Sequence, residues 1–424
     1  MNMETIALAV FIFTYALIVS ERIHRAVAAM FGASIVLFLK IVPWERVSYY
    51  LDLDTIFLLM GMMIIVNTAR NSGLFEYIAI KTAKFAKGNP IRVLLLFSVV
   101  TALVSSVLDN VTTVLLLTPM LLYISKLMEL SPIPFLLSEI FASNIGGTAT
   151  LIGDPPNIMI GSAANLSFNE FLTNMGLISL LDFILMLGVI YMVYNRALNV
   201  SSDKRRRIIN SLESLDEKAV IKDIVLFKKS VATIILVVSL FFVHDKIGIE
   251  PAVVALFGAS LLLLWSMENP EGILERIEWT ALFFFGGLFI IVGGLEETGI
   301  IAEVAKWVIG HIHSQGEALL VITWFSAFSS AIVDNIPLTA AMIPLIKHMG
   351  NSLNIYPLWW ALSLGACLGG NGTAIGASAN VVVIGIAERE GIKIGFGDFL
   401  KMGMVIMVLT VALGVGILWI RYVG

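Results

Sequence analysis

Gly146-Gly-Thr-Ala-Thr-Leu-Ile-Gly-Asp-Pro-Pro-Asn157 interrupts a long apolar run, and Gly369-Gly-Asn-Gly-Thr-Ala-Ile-Gly-Ala-Ser-Ala-Asn380 interrupts another in the same way. Glycine and proline punctuate helices, so each stretch reads as a helix broken inside a hydrophobic segment. The relation extends outward from this pair. Ala26-Val-Ala-Ala-Met-Phe-Gly-Ala-Ser34 matches Ala252-Val-Val-Ala-Leu-Phe-Gly-Ala-Ser260, and the apolar run 57–66 matches 283–292. Leu108-Asp-Asn-Val-Thr-Thr113 matches Val333-Asp-Asn-Ile-Pro-Leu338, and Phe168-Asn-Glu-Phe-Leu172 matches Phe396-Gly-Asp-Phe-Leu400. The offset stays between 223 and 228 throughout. A shift this constant marks duplication of one unit, giving a first repeat at 1–200, a polar basic linker at 201–229 and a second repeat at 230–424.

Of the 424 residues, 58% are hydrophobic and 14% charged, and the mean hydropathy is +0.93. A water-facing shell needs far more charge, so the bilayer is the solvent. Apolar runs of roughly 20 residues, enough to cross about 30 Å of hydrocarbon, predict around ten crossings. The run at 5–20 follows Glu4 with no Lys or Arg ahead of it and reads as the first span, not as a cleaved leader. Cys367 is the one cysteine. That excludes an intrachain disulfide and a cysteine-based zinc site, and the residue reads as a small apolar filler. No G-K-[ST] follows the glycine stretches, so a nucleotide site is not expected, and no nucleic-acid partner is expected either.

Within the first unit the apolar pattern predicts spans near 4–20, 24–41 and 55–70. A hairpin follows over 92–127, turning at Asp109-Asn110, then a broken span over 135–164 and a last span at 171–196. Irregular backbone at membrane depth is tolerated only when shielded or facing water, so the hairpin is read as re-entrant. The fold class is therefore all-α and polytopic, each unit holding five transmembrane helices, one of them broken, plus the hairpin. An odd number of crossings turns the second copy upside down, the inverted repeat of many secondary transporters. With both termini outside and the 197–229 linker cytoplasmic, 21 of the 27 Lys and Arg fall inside, as the positive-inside pattern requires. Trp44, Tyr49-Tyr50 and Trp359-Trp360 fall at predicted span ends, where an aromatic belt is expected.

Asp109 and Asp334 occupy equivalent places near the predicted hairpin tips. A carboxylate at bilayer depth is costly unless hydrated, paired or bound to a cation, so both are candidates for taking Na+ or H+. Each is also placed to cap the helical arm that follows. Asn110, Thr112, Thr113, Asn335 and Thr339 set neutral oxygens beside these carboxylates. Na+ favours such hard oxygen ligands and is expected at Asp109, Asn110, Asp334 and Asn335. In the breaks, Asn144, Gly147, Thr148, Thr150 and Asn157 of the first half supply side-chain oxygens, free carbonyls and half-helix ends. Asn371, Thr373, Ser378 and Asn380 do so in the second.

Asp154 breaks the symmetry, because its counterpart is Ala377. It reads first as a cap of the Pro-Pro turn and second as a cation or proton ligand. No Lys or Arg lies inside either motif, so an anionic solute has to rely on helix ends, amides and co-bound cations. No catalytic residue and no cofactor are expected, only Na+ or H+ as coupling ion. An intramembrane aspartyl protease also needs two membrane aspartates, but duplication accounts for the pair and no G-x-G-D occurs. An ion channel is a third class.

The strings 108–119, 143–157 and 366–380 resemble the ion transporter superfamily, which takes in ArsB arsenite permeases, NhaD-type Na+/H+ antiporters and citrate transporter-like carriers. They are most similar to its P protein branch and the prokaryotic relatives of that branch. The resemblance implies an elevator-type transporter in which scaffold spans hold a moving body of two hairpins and two broken helices. It also implies a homodimer in a lipid bilayer, here a prokaryotic inner membrane. Dicarboxylate carriers of the superfamily have Ser-Asn-Thr at the hairpin tips where this chain has Asp-Asn, which favours a cation-coupled exchanger. The expected function is a secondary active transporter moving a small inorganic or organic ion, coupled to Na+ or H+ through the hairpin aspartates. Arsenite or antimonite efflux, Na+/H+ antiport proper and Na+-coupled carboxylate transport are the alternatives.

Overall fold

The computed structural model describes residues 2–20 and 22–424, and every regular element among them is a helix. The first half runs through Met3–Ser20, Arg25–Phe38, Leu53–Asn71 and the amphipathic Leu74–Phe85. It continues with the hairpin Pro90–Ser105 and Asn110–Leu127, the broken pair Ile133–Thr148 and Pro155–Ala164, and a continuous run Phe168–Tyr194. The second half follows the same order: Ile224–Ile247, Pro251–Ser266, Trp279–Glu297 and Ile300–His311. Then come the hairpin Gln315–Ile332 and Asn335–Met349, the broken pair Tyr356–Gly369 and Ser378–Arg389, and Phe396–Tyr422. Both hairpin turns and both breaks fall where the sequence predicts them. Seven of the described helices are long and apolar enough to cross a membrane. Six of these are expected crossings and the seventh is the hairpin arm Asn110–Leu127; the other four expected crossings are missing because Arg25–Phe38 and Pro251–Ser266 are short and each broken span is divided between two helices.

Local chemistry explains the interruptions. Asn89 caps Pro90–Ser105 from the Arg92 amide, with Pro90 in the first turn, where its missing N–H is no loss. Pro155 and Pro156 start the second half of the broken helix for the same reason. Large apolar side chains such as Phe38, Met192 and Leu264 are exposed on the outside. Lipid covers such surface.

Two glycine contacts recur in both halves and set how the helices pack. A Cβ on Gly61 would lie 2.7 Å from the Ala255 backbone, and one on Gly287 would lie 2.7 Å from that of Ala29. Leu53–Asn71 thus packs along Pro251–Ser266, and Trp279–Glu297 along Arg25–Phe38. Likewise a Cβ on Gly146 would lie 2.3 Å from the Ala102 carbonyl oxygen, and one on Gly369 would lie 2.5 Å from that of Ala327. These contacts press the first arm of each hairpin against the first half of each broken helix. Small residues allow that approach between membrane helices.

The linker holds a helix, Ser202–Glu213, capped by Ser201 and burying Ile208 and Leu212. It is docked on the body through a Lys84–Glu217 ion pair and a Lys204 bond to the Glu129 carbonyl oxygen at 3.0 Å. The Lys84 ammonium holds the Glu217 carboxyl below the usual carboxylate range. Trp44 and Tyr49 are exposed, as a belt requires, but Trp359 and Trp360 are buried. Trp360 lies edge-on to Phe171 with ring centroids 5.0 Å apart. Tyr356–Gly369 starts at the exposed Tyr356 but is buried from Pro357 on, so these two tryptophans are core and not belt.

Candidate functional site

The first hairpin turn and both helix breaks meet at Asn144, and the second hairpin joins them through Asn335 and Asp154. The Asn144 amide donates to Asn371 Oδ1 and to Asn380 Oδ1, both at 3.0 Å, and its Oδ1 accepts from the Asn110 amide at 3.3 Å. One side chain therefore joins the first hairpin, the first broken helix and the second. All four asparagines are buried.

The breaks are held open by the asparagines that close each motif. The Asn157 amide donates to the carbonyl oxygens of Gly147, Thr148 and Thr150, and that of Asn380 donates to Gly370 and Thr373. Backbone that no helix satisfies thus finds side-chain donors. Gly147 allows the turn, since a Cβ there would lie 2.5 Å from the Gly153 carbonyl oxygen. The hydroxyls of Thr148, Thr150, Thr339 and Thr373 donate to the carbonyl oxygens of Asn144, Ser106, Asn335 and Ala331. They tie segments together and leave oxygen lone pairs to accept, as Thr373 does from the Ile375 amide at 3.3 Å.

The two hairpin aspartates are placed differently. Asp109 caps Asn110–Leu127, accepting from the Thr112 amide at 2.8 Å and from the Thr112 hydroxyl. In the second half Pro337 stands where Thr112 does and has no N–H to offer. Asp334 instead accepts from the Ile336 amide at 3.1 Å, from Ser378 and from Arg25, whose guanidinium lies 3.1 Å away. Arg25 also donates to Ser378 and lies over the Phe284 ring, 5.2 Å from its centroid. The expectation that no fixed cation stands near the motifs is corrected here. Arg25 comes from a helix 309 residues away in sequence, and its repeat counterpart is Pro251.

Asp154 is not a cap. It precedes Pro155–Ala164 without a capping bond from its side chain, because Pro155 and Pro156 have no N–H to donate. Its two carboxylate oxygens accept instead from the Asn335 amide at 3.2 and 3.3 Å, across from the second hairpin. Cys367 is a second correction. It occupies the repeat position of Asn144, is fully buried, and its thiol reaches Asn157 Oδ1 at 3.5 Å beside Asp154. It is part of the polar cluster and not an apolar filler. Ser363, which donates to Asn157 Oδ1 at 2.6 Å, also joins the cluster.

Asp154 thus lies within Coulombic reach of both Asp109 and Asp334, and the one guanidinium of the cluster, Arg25, is paired with Asp334. Asn110 Oδ1, Thr113 Oγ1 and Asn371 Nδ2 are buried with no hydrogen-bond partner among the described residues. Such an arrangement favours a cation and offers it oxygen ligands. Arg25 and Ser363 carry no local sequence signal. Cys367 was open to discovery, since its alignment on Asn144 lies within the repeat.

Residues 15–365 match the citrate transporter family, CitMHS. The chain is 40% identical to an uncharacterized transporter of Mycobacterium bovis over 99% of both chains. It is 32% identical to the human P protein, over 99% of this chain and 60% of that protein. Among solved structures it is similar to the YdaH transporter of Alcanivorax borkumensis, with a TM-score of 0.59 at 13% identity over 100% of this chain and 99% of that one. With a buried polar centre inside a lipid-facing helical body, this chain belongs to the citrate transporter family and is an integral membrane transporter.

Proposed function

We propose that the chain is a secondary active transporter in which Na+ or H+ binds at the hairpin tips and moves together with, or against, a small ion. The observation that carries this reading is the convergence of the first hairpin and both broken helices on Asn144, with the second hairpin joined to the first break through Asn335 and Asp154. Discontinuous helices around a membrane-depth site are what transporters use to bind ions. Asp334 holds Arg25, whereas Asp109 holds only the start of its own helix. Asp109 is therefore the carboxylate that an incoming cation meets without a fixed counter-charge, with Asn110 Oδ1 and Thr113 Oγ1 as neighbouring ligands.

The two sequence repeats are inverted in the membrane on this reading. The pairs Leu53–Asn71 with Pro251–Ser266 and Arg25–Phe38 with Trp279–Glu297 form the scaffold of an elevator, and the hairpins with the broken helices form the moving body. Citrate and other carboxylates are the second reading of the cargo. It is favoured by the family match and by Arg25 beside the N-terminus of Ser378–Arg389. Purified protein in proteoliposomes, given imposed Na+ and pH gradients, tests this with citrate, with arsenite and with Na+/H+ exchange alone. Asp109→Asn should abolish gradient-driven flux while the protein still folds, and Asp334→Asn and Asp154→Asn should reduce it. Equal flux from all three variants and the parent rules the reading out.

A further inference from the structure

Glu139 lies in the middle of Ile133–Thr148, one of the most enclosed helices of the protein, and is 1% exposed. Its Oε2 accepts from the Thr118 hydroxyl at 3.0 Å, and its Oε1 has no hydrogen-bond partner among the described residues. No cation is paired with it. The helices packed against Ile133–Thr148 carry Arg92; Tyr123 and Lys126; Asp182, Tyr191 and Tyr194; Tyr356 and Cys367; Glu388 and Arg389; and Asp398, Lys401, Arg421 and Tyr422. None of these forms an ion pair or a hydrogen bond with Glu139. A carboxylate so placed needs a proton or a cation, since an unpaired charge buried in a membrane protein is costly.

Two further features give that proton a route and a destination. A surface cavity of about 450 Å³, lined by Pro119, Ser125, Lys126 and Ile386, reaches down to Pro119, the residue next to the Thr118 that holds Glu139. It opens beside Leu130, adjoining the Glu129 carbonyl to which the linker is fastened through Lys204. Above Thr118 on the same helix stand the partnerless Thr113 Oγ1 and Asn110 Oδ1, and one turn beyond Glu139 on its own helix Ser143 donates to the Asn110 carbonyl oxygen. Polar groups therefore follow one helix interface from Thr118, one residue behind the cavity wall at Pro119, to Asn144. The second half lacks this track. Thr113, Thr118 and Glu139 correspond to Leu338, Ile343 and Leu362, although Pro119 is retained as Pro344.

We propose that Glu139 is a proton-binding site separate from the hairpin carboxylates, loaded from the cavity at Pro119, and that only the first half carries it. This deepens the transporter reading and rests on it for its purpose. A proton from water in the cavity adds to the carboxylate, giving a neutral carboxylic acid, and leaves by the same oxygen when the cavity is alkaline. The second half then supplies Asp334, paired with Arg25 of the first half, and the first half alone carries the exchangeable proton.

Infrared difference spectra of the reconstituted protein, cycled between acid and alkaline buffer, read the group directly through the carbonyl band of a protonated carboxylic acid. The parent protein should show a reversible band that Glu139→Gln lacks and Glu139→Asp restores at a shifted position. Ile386→Trp, which fills the cavity, should leave the amplitude unchanged and slow the response to a pH jump. A band of the same size in Glu139→Gln overturns the proposal. A parallel flux arm uses vesicles loaded with a pH-sensitive dye under a Na+ gradient. Absence of flux in the parent strikes at the transporter reading alone, because the infrared signal does not depend on turnover. Proton-linked flux in the parent without a Glu139 band strikes at this proposal alone.

Discussion

At the scale of single residues, the two hairpin aspartates show how one duplicated position came to rest on different chemistry. Thr112 offers Asp109 both an amide and a hydroxyl, while Pro337 offers Asp334 neither, and Arg25 with Ser378 completes the second site. Removing Arg25 leaves the largely buried Asp334 carboxylate without its charge partner. Arg25→Gln is therefore expected to destabilise the protein by about 1–3 kcal/mol, the lower part of the range for lost charged partners because the guanidinium is one-third exposed. Asp334→Asn in the same chain should recover much of that loss, because the charge that needed compensation is gone. Thermal unfolding in detergent of the two single variants and the double variant measures the coupling, and strictly additive losses refute it. The residue types and positions of Asp109, Asn110, Asp154 and Asn335 could be read from the motifs. Arg25 could not, because nothing local in the sequence links a helix start to a hairpin 309 residues away. Asp154 was misread for a related reason: its partner is on the other half, and the two prolines that suggested a cap deny it one.

At the scale of helices, what could be read was whatever glycine, proline and apolar periodicity dictate. Both hairpins and both breaks follow from those signals alone. The buried setting of Trp359 and Trp360 does not, because hydropathy cannot tell a helix whose first turn faces lipid from one covered at once by other helices of the protein. The docked helix Ser202–Glu213 is likewise hidden in a charge-rich linker, where just two apolar side chains are buried. The glycine contacts make the helix packing testable. A Cβ on Gly146 or Gly369 meets a backbone carbonyl oxygen that cannot rotate aside. Overpacking of this kind costs about 1–3 kcal/mol, and the better helix propensity of Ala returns only about 1 kcal/mol. Gly146→Ala and Gly369→Ala should thus lower the unfolding temperature. Gly188→Ala, in a helix with open space at that point, should leave it unchanged or raise it. If Gly146→Ala and Gly188→Ala unfold alike, the close approach of hairpin arm and broken helix is not what holds these elements together.

At the scale of the whole molecule, duplication and divergence are both written into the same contacts. Gly61 on Ala255 repeats Gly287 on Ala29, so these two helix pairs share one packing contact. The centre has departed from it: Asn144 faces Cys367, Asp154 faces Ala377, Thr112 faces Pro337 and Arg25 faces Pro251 in the alignment of the halves. An odd number of crossings per unit is the physical reason such a pair of repeats would end up inverted, with different sides of the membrane served by different chemistry. That arrangement places both chain ends on one side and the linker on the other. The charge pattern gives the expected sides, since 21 of the 27 Lys and Arg would then fall with a cytoplasmic linker. In a Cys367→Ser background, Ser214→Cys puts a thiol at the exposed end of the linker helix and Gly424→Cys puts one at the end of the chain. A membrane-impermeant maleimide applied to intact cells should label Gly424→Cys and leave Ser214→Cys untouched until the membrane is opened. Labelling of both or neither would mean an even number of crossings between them, and the repeats would then be parallel.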